Sequence, residues 1–134
     1  MVSSLFSRLL VGAAALGALA APGHAQTLSD KDGYDSLLSC AAFFSAAAAV
    51  TEDDKKTSGE ATELATAFMT GAVLLAPGGD SAKAEKALEE QAQIFAVAMV
   101  ADDKAMAKDL EGLADNCGTL GEQYLPEVLA RAGE

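Results

Sequence analysis

The sequence is poor in histidine, since His24 is the single one among 134 residues. Ser-His-Asp and Cys-His nucleophile systems need an imidazole as base, and His-containing zinc sites and c-type haem attachment need one as ligand. His24 lies in an amino-terminal segment that we expect to be removed on export. The remaining chain lacks these chemistries, and we predict no catalytic, cofactor-binding or metal-binding residues in it.

Positively charged residues are also scarce, with 9 Lys and Arg against 20 Asp and Glu. Once the segment that contains Arg8 is removed, 8 basic and 20 acidic residues remain, which gives a net charge of −12. A nucleic-acid partner needs a basic surface, so we exclude one, and anionic membrane surfaces are disfavoured for the same reason. The acidity favours a well-solvated surface.

The first 25 residues are typical of a secretory signal peptide. Arg8 precedes an uninterrupted apolar run from Leu9 to Ala21, and Pro22 follows that run. Its 13 residues are too few to cross a bilayer, which takes roughly 20 residues of helix. Small residues before Gln26 predict cleavage after Ala25, and no cysteine stands close enough for a lipid anchor.

The predicted mature chain, residues 26–134, has 109 residues and fits a single helical domain. No stretch alternates apolar and polar residues with β-branched enrichment, so no β-sheet is expected. Four or five amphipathic segments joined by short links instead predict an all-α bundle. We expect the protein in the periplasm or secreted, with no membrane anchor after processing.

Residues 34–50 predict the central helix of the bundle. Asp32 is its expected N-cap, and nearly the whole circumference beyond Ser39 is apolar or small, which predicts cover on more than one side. The alanines either let another helix approach closely or reflect helix propensity alone. Residues at three- and four-residue spacing form the apolar face: Tyr34, Leu37, Leu38, Cys40, Ala41, Phe43, Phe44, Ala47 and Ala48.

A second helix is predicted to begin at a capping box formed by Thr57 and Glu60. The run 76–79, Ala-Pro-Gly-Gly, ends it, and Asp80 or Ser81 caps a third helix. So short a link predicts that the second and third helices are antiparallel neighbours. The face of the second helix comprises Ala61, Leu64, Ala65, Phe68, Ala72 and Leu75, with Met69 and Val73 at its edge.

The third segment reaches residues 102–103, both Asp, where we favour a break over one long helix through Asn116. Gly118 and Gly121 are expected to close the fourth helix, and Pro126 to begin a last short helix over 126–130. The third face comprises Ala84, Leu88, Gln91, Phe95 and Ala98, flanked by Ala87, Ile94 and Met99. The fourth comprises Met106, Leu110, Leu113, Cys117 and Leu120.

Cys40 and Cys117 are the two cysteines, and in an exported chain they are expected to form a disulfide. They lie on the apolar faces of the first and fourth helices, where a link between distant parts of the chain belongs. The chain-entropy model gives roughly 4 to 5 kcal/mol for closing a loop of this size. A redox-active thiol is disfavoured, because neither a Cys-X-X-Cys spacing nor a cationic neighbour is present.

The other candidate sites have ordinary structural interpretations. The acidic runs 52–54 and 102–103 lack the spacing of a calcium loop and are interpreted as solvated caps and connections. Tyr34 and Tyr124 are expected to bury their rings and to hydrogen-bond their hydroxyls. Phenylalanines and methionines at helical spacing are expected in the core. The small-residue helix faces allow two kinds of interaction. A protein partner could dock a helix in a groove between them, or two copies of the chain could form a homodimer.

This plan, a small exported helical domain with one disulfide between distant helices, resembles that of acid-stress periplasmic chaperones of the HdeA type. Our first hypothesis is a non-enzymatic protein that binds a protein or an apolar partner. The second is a purely structural or stress-related role. For the stress-related role the resemblance implies a chaperone that exposes apolar surface at low pH, where 20 carboxylates neutralise. The third is an enzyme using carboxylates alone, although almost all acids here fall on polar faces or in connections.

Cleavage after Ala25 would expose Gln26, and an amino-terminal glutamine tends to cyclise with loss of ammonia. Intact-mass spectrometry of the exported protein is therefore expected to give residues 26–134 less one ammonia. A mass that retains residues before Gln26 would show that the predicted cleavage site is wrong.

Overall fold

The computed structural model describes residues 28–132, and within them the chain forms five α-helices and no strand. The predicted all-α bundle is therefore confirmed. The predictions of a signal peptide and of cleavage after Ala25 lie outside the described residues. The helices are α1 (Asp30–Val50), α2 (Lys55–Leu75), α3 (Ser81–Val100), α4 (Lys104–Gln123) and α5 (Leu125–Ala132), with a 3-10 turn at Pro77–Gly79.

Helix α1 is covered on more than one side, as its sequence predicts. Both α2 and α3 contact it extensively, whereas they scarcely contact each other. The predicted antiparallel neighbours α2 and α3 border a common groove but do not pack closely on each other, because the small apolar circumference of α1 offers each of them a face of its own. The buried residues of α1 are Gly33, Leu37, Leu38, Cys40, Ala41, Ala42, Phe43, Phe44, Ala46 and Ala47.

Helix α1 is also the one helix within residues 28–132 that is long and apolar enough to cross a membrane. Its most apolar 18-residue stretch has a mean hydropathy of 1.3, but 56% of that stretch is buried inside the bundle. The core helix of a folded domain has the same length and composition. The burial favours that interpretation, because a membrane-spanning α1 would have to separate from α2 and α3.

The first two helices begin earlier than predicted, because different residues cap them. Ser29, not Asp32, is the N-cap of α1, and its hydroxyl oxygen accepts the backbone N–H of Asp32 at 3.1 Å. Asp54 caps α2 by accepting the backbone N–H and the hydroxyl of Thr57 at 3.2 and 2.8 Å. The expected box of Thr57 and Glu60 is wrong, since a carboxylate at the positive helix end is a strong acceptor and lengthens the helix.

The connection between α2 and α3 follows the prediction. The 3-10 turn Pro77–Gly79 ends α2, and its two glycines adopt φ angles of 69° and 68°, a region that favours glycine. Asp80 then caps α3 by accepting the backbone N–H of Lys83 at 3.0 Å. Of the two caps considered for α3, the structure therefore uses Asp80 rather than Ser81.

The predicted break near Asp102 is confirmed, and a single helix through Asn116 is wrong. Helix α3 ends at Val100, and α4 begins at Lys104. The Asp103 carboxylate accepts two backbone N–H groups in the first turn of α4, at 2.9 and 3.2 Å. This cap makes a new helix start favourable at a position where neither glycine nor proline stops the preceding helix.

The glycines of α4 do not end it, contrary to the prediction, because the helix continues to Gln123. Gly118 is buried inside the helix. A Cβ at Gly121 would lie 3.1 Å from the ring of Phe68 in α2. Gly121 therefore allows the Phe68 ring to pack close to the backbone of α4, and it does not end the helix. The last helix, Leu125–Ala132, begins one residue earlier than predicted and extends two residues further.

Four phenylalanines connect the three central helices. Phe43 and Phe44 of α1 pack edge to face with ring centroids 5.3 Å apart. Phe44 stacks on Phe68 of α2 at 5.5 Å, and Phe43 meets Phe95 of α3 edge to face at 6.2 Å. Aromatic pairs in these geometries stabilise a core beyond the area that they bury. A continuous row of rings therefore holds α2 and α3 to α1.

Tyr124, between α4 and α5, is fully buried, but its hydroxyl has no hydrogen-bond partner among the described residues. The expected hydrogen bond is therefore wrong for this tyrosine. The ring fits because Gly33 in α1 has no side chain: a Cβ there would overlap the Tyr124 hydroxyl and lie 2.9 Å from Leu75 Cδ1. Burial raises the pKa of the Tyr124 phenol, which keeps the buried group neutral.

The two ends of the described chain meet at the surface. Arg131 Nη1 in α5 donates to Asp30 Oδ1 at the start of α1, at 3.3 Å. Their side chains are 51% and 74% exposed, so this ion pair contributes little to stability. The ion pair does show that the beginning of α1 and the end of α5 lie side by side at the surface of the bundle.

Tyr124→Phe is expected to raise the free energy of unfolding by about 1 kcal/mol, because it removes an unpaired buried hydroxyl and keeps the ring. Gly33→Ala is expected to lower it by about 1 to 3 kcal/mol, because the ring and Leu75 must move. Urea denaturation measures both changes, and Tyr34→Phe at a half-buried position is the control. A destabilised Tyr124→Phe protein would mean that the hydroxyl has a partner.

Candidate functional site

Cys40 in α1 and Cys117 in α4 form the predicted disulfide, with Cα atoms 5.6 Å apart. The two residues are 1% and 0% exposed. No cysteine within the described part of the chain is free. Because thiol exchange requires access to a sulfur atom, burial of both residues indicates a structural bond rather than a redox site.

The disulfide is an important link between α4 and the centre of the bundle. Helix α4 contacts α1 and α3 much less extensively than α2 and α3 contact α1. The cysteines are 77 residues apart in the sequence, so the bond closes a long loop in the unfolded chain. Besides Cys117, α4 buries Leu110, Ala114, Gly118 and Leu120.

An open groove of about 680 Å³ lies between α2 and α3 and is floored by α1. It exists because α2 and α3 pack on separate faces of α1 and scarcely touch each other. Ser45 and Ala48 of α1 form the floor, and their small side chains leave space between the walls. The walls include Thr62, Thr66, Met69, Thr70 and Leu74 of α2 and Ser81, Glu85 and Leu88 of α3. We call this the α2–α3 groove.

Three threonines stand one turn apart along the α2 wall, and their hydroxyl protons are already used. Thr62, Thr66 and Thr70 each donate to the backbone carbonyl four residues earlier, at 2.9 Å. Each can therefore offer a ligand its methyl group or an oxygen lone pair, but no donor. Glu85 is the one charged residue in the described lining. The α2–α3 groove thus suits an uncharged, mainly apolar occupant.

A second apolar surface lies on the other side of α3. Ile94, Val97 and Val100 are 68%, 69% and 71% exposed. Ile94 and Val97 line a shallow cleft of about 480 Å³ together with Ala101 and with Met106 of α4. We call these five residues the apolar α3 patch. At 100° per residue, the middle of the patch projects about 160° away from the side of α3 that borders the α2–α3 groove.

The patch corrects two sequence predictions. Ile94 was expected to flank the core face of α3, and Met106 to begin the core face of α4, but both are exposed. The reason is that α4 buries no residue before Leu110, so its first turns leave the end of α3 uncovered. A helical projection predicts part of this exposure, since Val97 lies about 160° around the helix from Phe95 on the core face.

The acidic residues of the described chain lie at its surface, and none is buried. Asp54 and Asp103 act as helix caps, as interpreted from the acidic runs. The hydroxyl of Thr57, and then its backbone N–H, lower the pKa of the Asp54 carboxyl below its ordinary 3.8. This stabilisation is fully present above pH 3.8 and is lost as the pH falls through the lower pKa of the folded state. Within residues 28–132 no three potential metal ligands converge.

Comparison of the chain with protein-family models, with curated proteins and with solved structures finds no match. No matching relative therefore supports the resemblance in plan to acid-stress chaperones. The structural features that bear on function are the two apolar surfaces, the disulfide and the distribution of charge.

Replacing both cysteines, Cys40→Ala with Cys117→Ala, is expected to lower the free energy of unfolding by about 4 to 5 kcal/mol, because the unfolded chain regains the entropy of a long open loop. Most small domains have about 5 to 15 kcal/mol in total. Guanidinium denaturation of the oxidised wild type and of the double variant measures the difference. A loss under about 1 kcal/mol would mean that packing alone holds α4 in place.

Proposed function

We propose that this is an exported, non-enzymatic protein that binds an apolar helical segment of another protein in the α2–α3 groove. The observation that carries the proposal is the groove itself, an open trough with small residues on its floor and almost no charge in its lining. The disulfide and the apolar leader of the sequence support a location in the periplasm or outside the cell.

The dimensions of the groove support a helical occupant. From Thr62 to Leu74 the α2 wall covers twelve residue steps, about 18 Å at 1.5 Å per residue. A bound helix of slightly more than three turns has the same length. Ser45 and Ala48 on the floor would let the bound backbone approach α1 closely, and Met69 can adapt its shape to different side chains.

A non-enzymatic role is supported by the side chains that the groove offers. The threonine hydroxyls donate to backbone carbonyls, and no imidazole follows His24 in the sequence to act as their base. Glu85 stands in the lining without a second carboxylate, whereas general acid and base work on a glycoside uses two. The carboxylate-only enzyme therefore has less support than a binding protein.

An acid-triggered chaperone has less support for a related reason. Acid unfolding is driven mostly by the protonation of carboxylates that the native state pairs or buries. The acids of residues 28–132 are unburied, and the Asp30–Arg131 ion pair is solvent-exposed. Protonation would therefore remove few interactions that hold the helices together. The groove is already open in the folded bundle, so binding in it needs no unfolding.

A labelled 14-residue neutral peptide with leucines on one helical face is expected to bind the protein at neutral pH, measured by fluorescence anisotropy. Thr66→Trp fills the middle of the groove from an exposed position and is expected to weaken binding at least tenfold. Asn116→Trp introduces the same side chain at an exposed position of α4 outside both apolar surfaces and is expected to have no effect.

Equal binding to the wild type and to Thr66→Trp would contradict the groove as the site. A neutral apolar dye, followed from pH 7 to pH 3, tests the chaperone alternative separately. Fluorescence that is low at neutral pH and rises only in acid would favour acid-induced exposure over a preformed groove. Fluorescence that is already high at pH 7 and is reduced by Thr66→Trp would favour the groove.

A further inference from the structure

We propose that the apolar α3 patch docks a second kind of partner, a cationic amphipathic helix of another protein. The patch shares no lining residue with the α2–α3 groove and projects from the other side of α3. The proposal therefore goes beyond the function proposed above and does not depend on it.

The packing of residues 28–132 does not explain why this patch consists of apolar residues. Ile94, Val97 and Val100 are β-branched and about 70% exposed within a helix. At exposed helix positions such residues have lower propensity than Ala, Lys or Glu, and here they bury little surface in return. A contiguous exposed apolar surface of this kind marks an interaction site.

The spacing of the patch indicates a helical partner. Glu90, Ile94, Val97 and Ala101 follow one another at intervals of four, three and four residues, which is the seam along which paired helices pack. Met106 of α4 forms the facing side of the cleft. A helix seated on this seam would place its own apolar residues between the alanine and the β-branched side chains.

The charges around the patch indicate that the partner is cationic. Glu90 lines one end of the cleft, and Asp102 and Asp103 follow the other end. Lys86 lies one turn before Glu90, and Lys104 follows Asp103, so three acids stand against two cations around the seam, and the whole chain has a net charge of −11. Lysines or arginines flanking the apolar stripe of a partner helix would therefore meet negative charge at both ends of the seam.

The same charges disfavour a second copy of this chain as the occupant. In an antiparallel pairing of two α3 helices, Glu90 of one copy would face Asp102 of the other. In a parallel pairing, Glu90 would face Glu90 and Asp102 would face Asp102. Both arrangements bring like charges together, and an anionic membrane surface would meet the same repulsion.

The probe for this site is a labelled 14-residue peptide of Leu and Lys, with leucines on one helical face. A scrambled peptide of identical composition is the control for attraction by net charge alone. In 150 mM NaCl the wild type is expected to bind the amphipathic peptide at least tenfold more tightly than the scrambled one. In a protein that also carries Thr66→Trp, which fills the α2–α3 groove, Val97→Ser, and separately Ile94→Ser, are expected to remove that preference while circular dichroism stays unchanged.

Two further variants separate this site from the rest of the surface. Glu90→Gln is expected to weaken binding several-fold and to reduce its salt dependence, because one flanking charge is lost. Thr66→Trp, which fills the α2–α3 groove, is expected to leave the affinity unchanged. Equal affinity for the scrambled peptide, or no effect of either serine variant, would overturn the proposal. So would a wild-type dimer in ultracentrifugation that Val97→Ser dissociates.

Discussion

Helix α1 is apolar around most of its circumference, and it must be covered on several sides at once. The rings of Phe43 and Phe44 reach α3 in one direction and α2 in the other, through Phe95 and Phe68. Because each covering helix has its own face of α1, the two covering helices remain apart. The α2–α3 groove is thus a consequence of how the core is built, not an irregularity of the surface.

The last helices complete the cover of α1 in a different way. Cys117 fixes α4 to Cys40, and Tyr124 fills the space that Gly33 leaves open near the start of α1. These contacts lie in the second half of α4 and beyond it. The first half of α4 is held less closely, and it is there that the last turns of α3 remain exposed. Both candidate binding surfaces therefore arise where two helices diverge.

The broad fold could be read from the sequence because it depends on features that a periodic pattern reports. The apolar face of α1, the turn at Pro77–Gly79, the break near Asp102 and the pairing of Cys40 with Cys117 all follow from local composition, spacing or compartment. Each is decided by a strong local preference, such as the positive φ angles at the glycine turn or the cap supplied by Asp103.

The features that the sequence could not supply depend on which faces meet. A short link brings the ends of α2 and α3 together, but it does not determine whether their apolar faces pack against each other or against α1. Gly121 has the composition of a helix end, yet its role is to admit the ring of Phe68. Ser29 and Asp54 are the N-caps because their side chains accept the free N–H groups of the first turn. Several neighbouring side chains could accept the same groups, and residue spacing alone does not show which of them does. The exposure of Ile94 depends on where α4 first meets the core.

The contact between Asp30 and Arg131 has a consequence for how this domain can be connected to others. The amino-terminal and carboxy-terminal segments of the bundle emerge side by side, so a fusion at either end would leave from the same corner. The order of the helices along the chain is then not essential to their packing. A short linker could join residues 28 and 132, and new ends could be opened at Asp102, which is solvent-exposed and lies outside the helices.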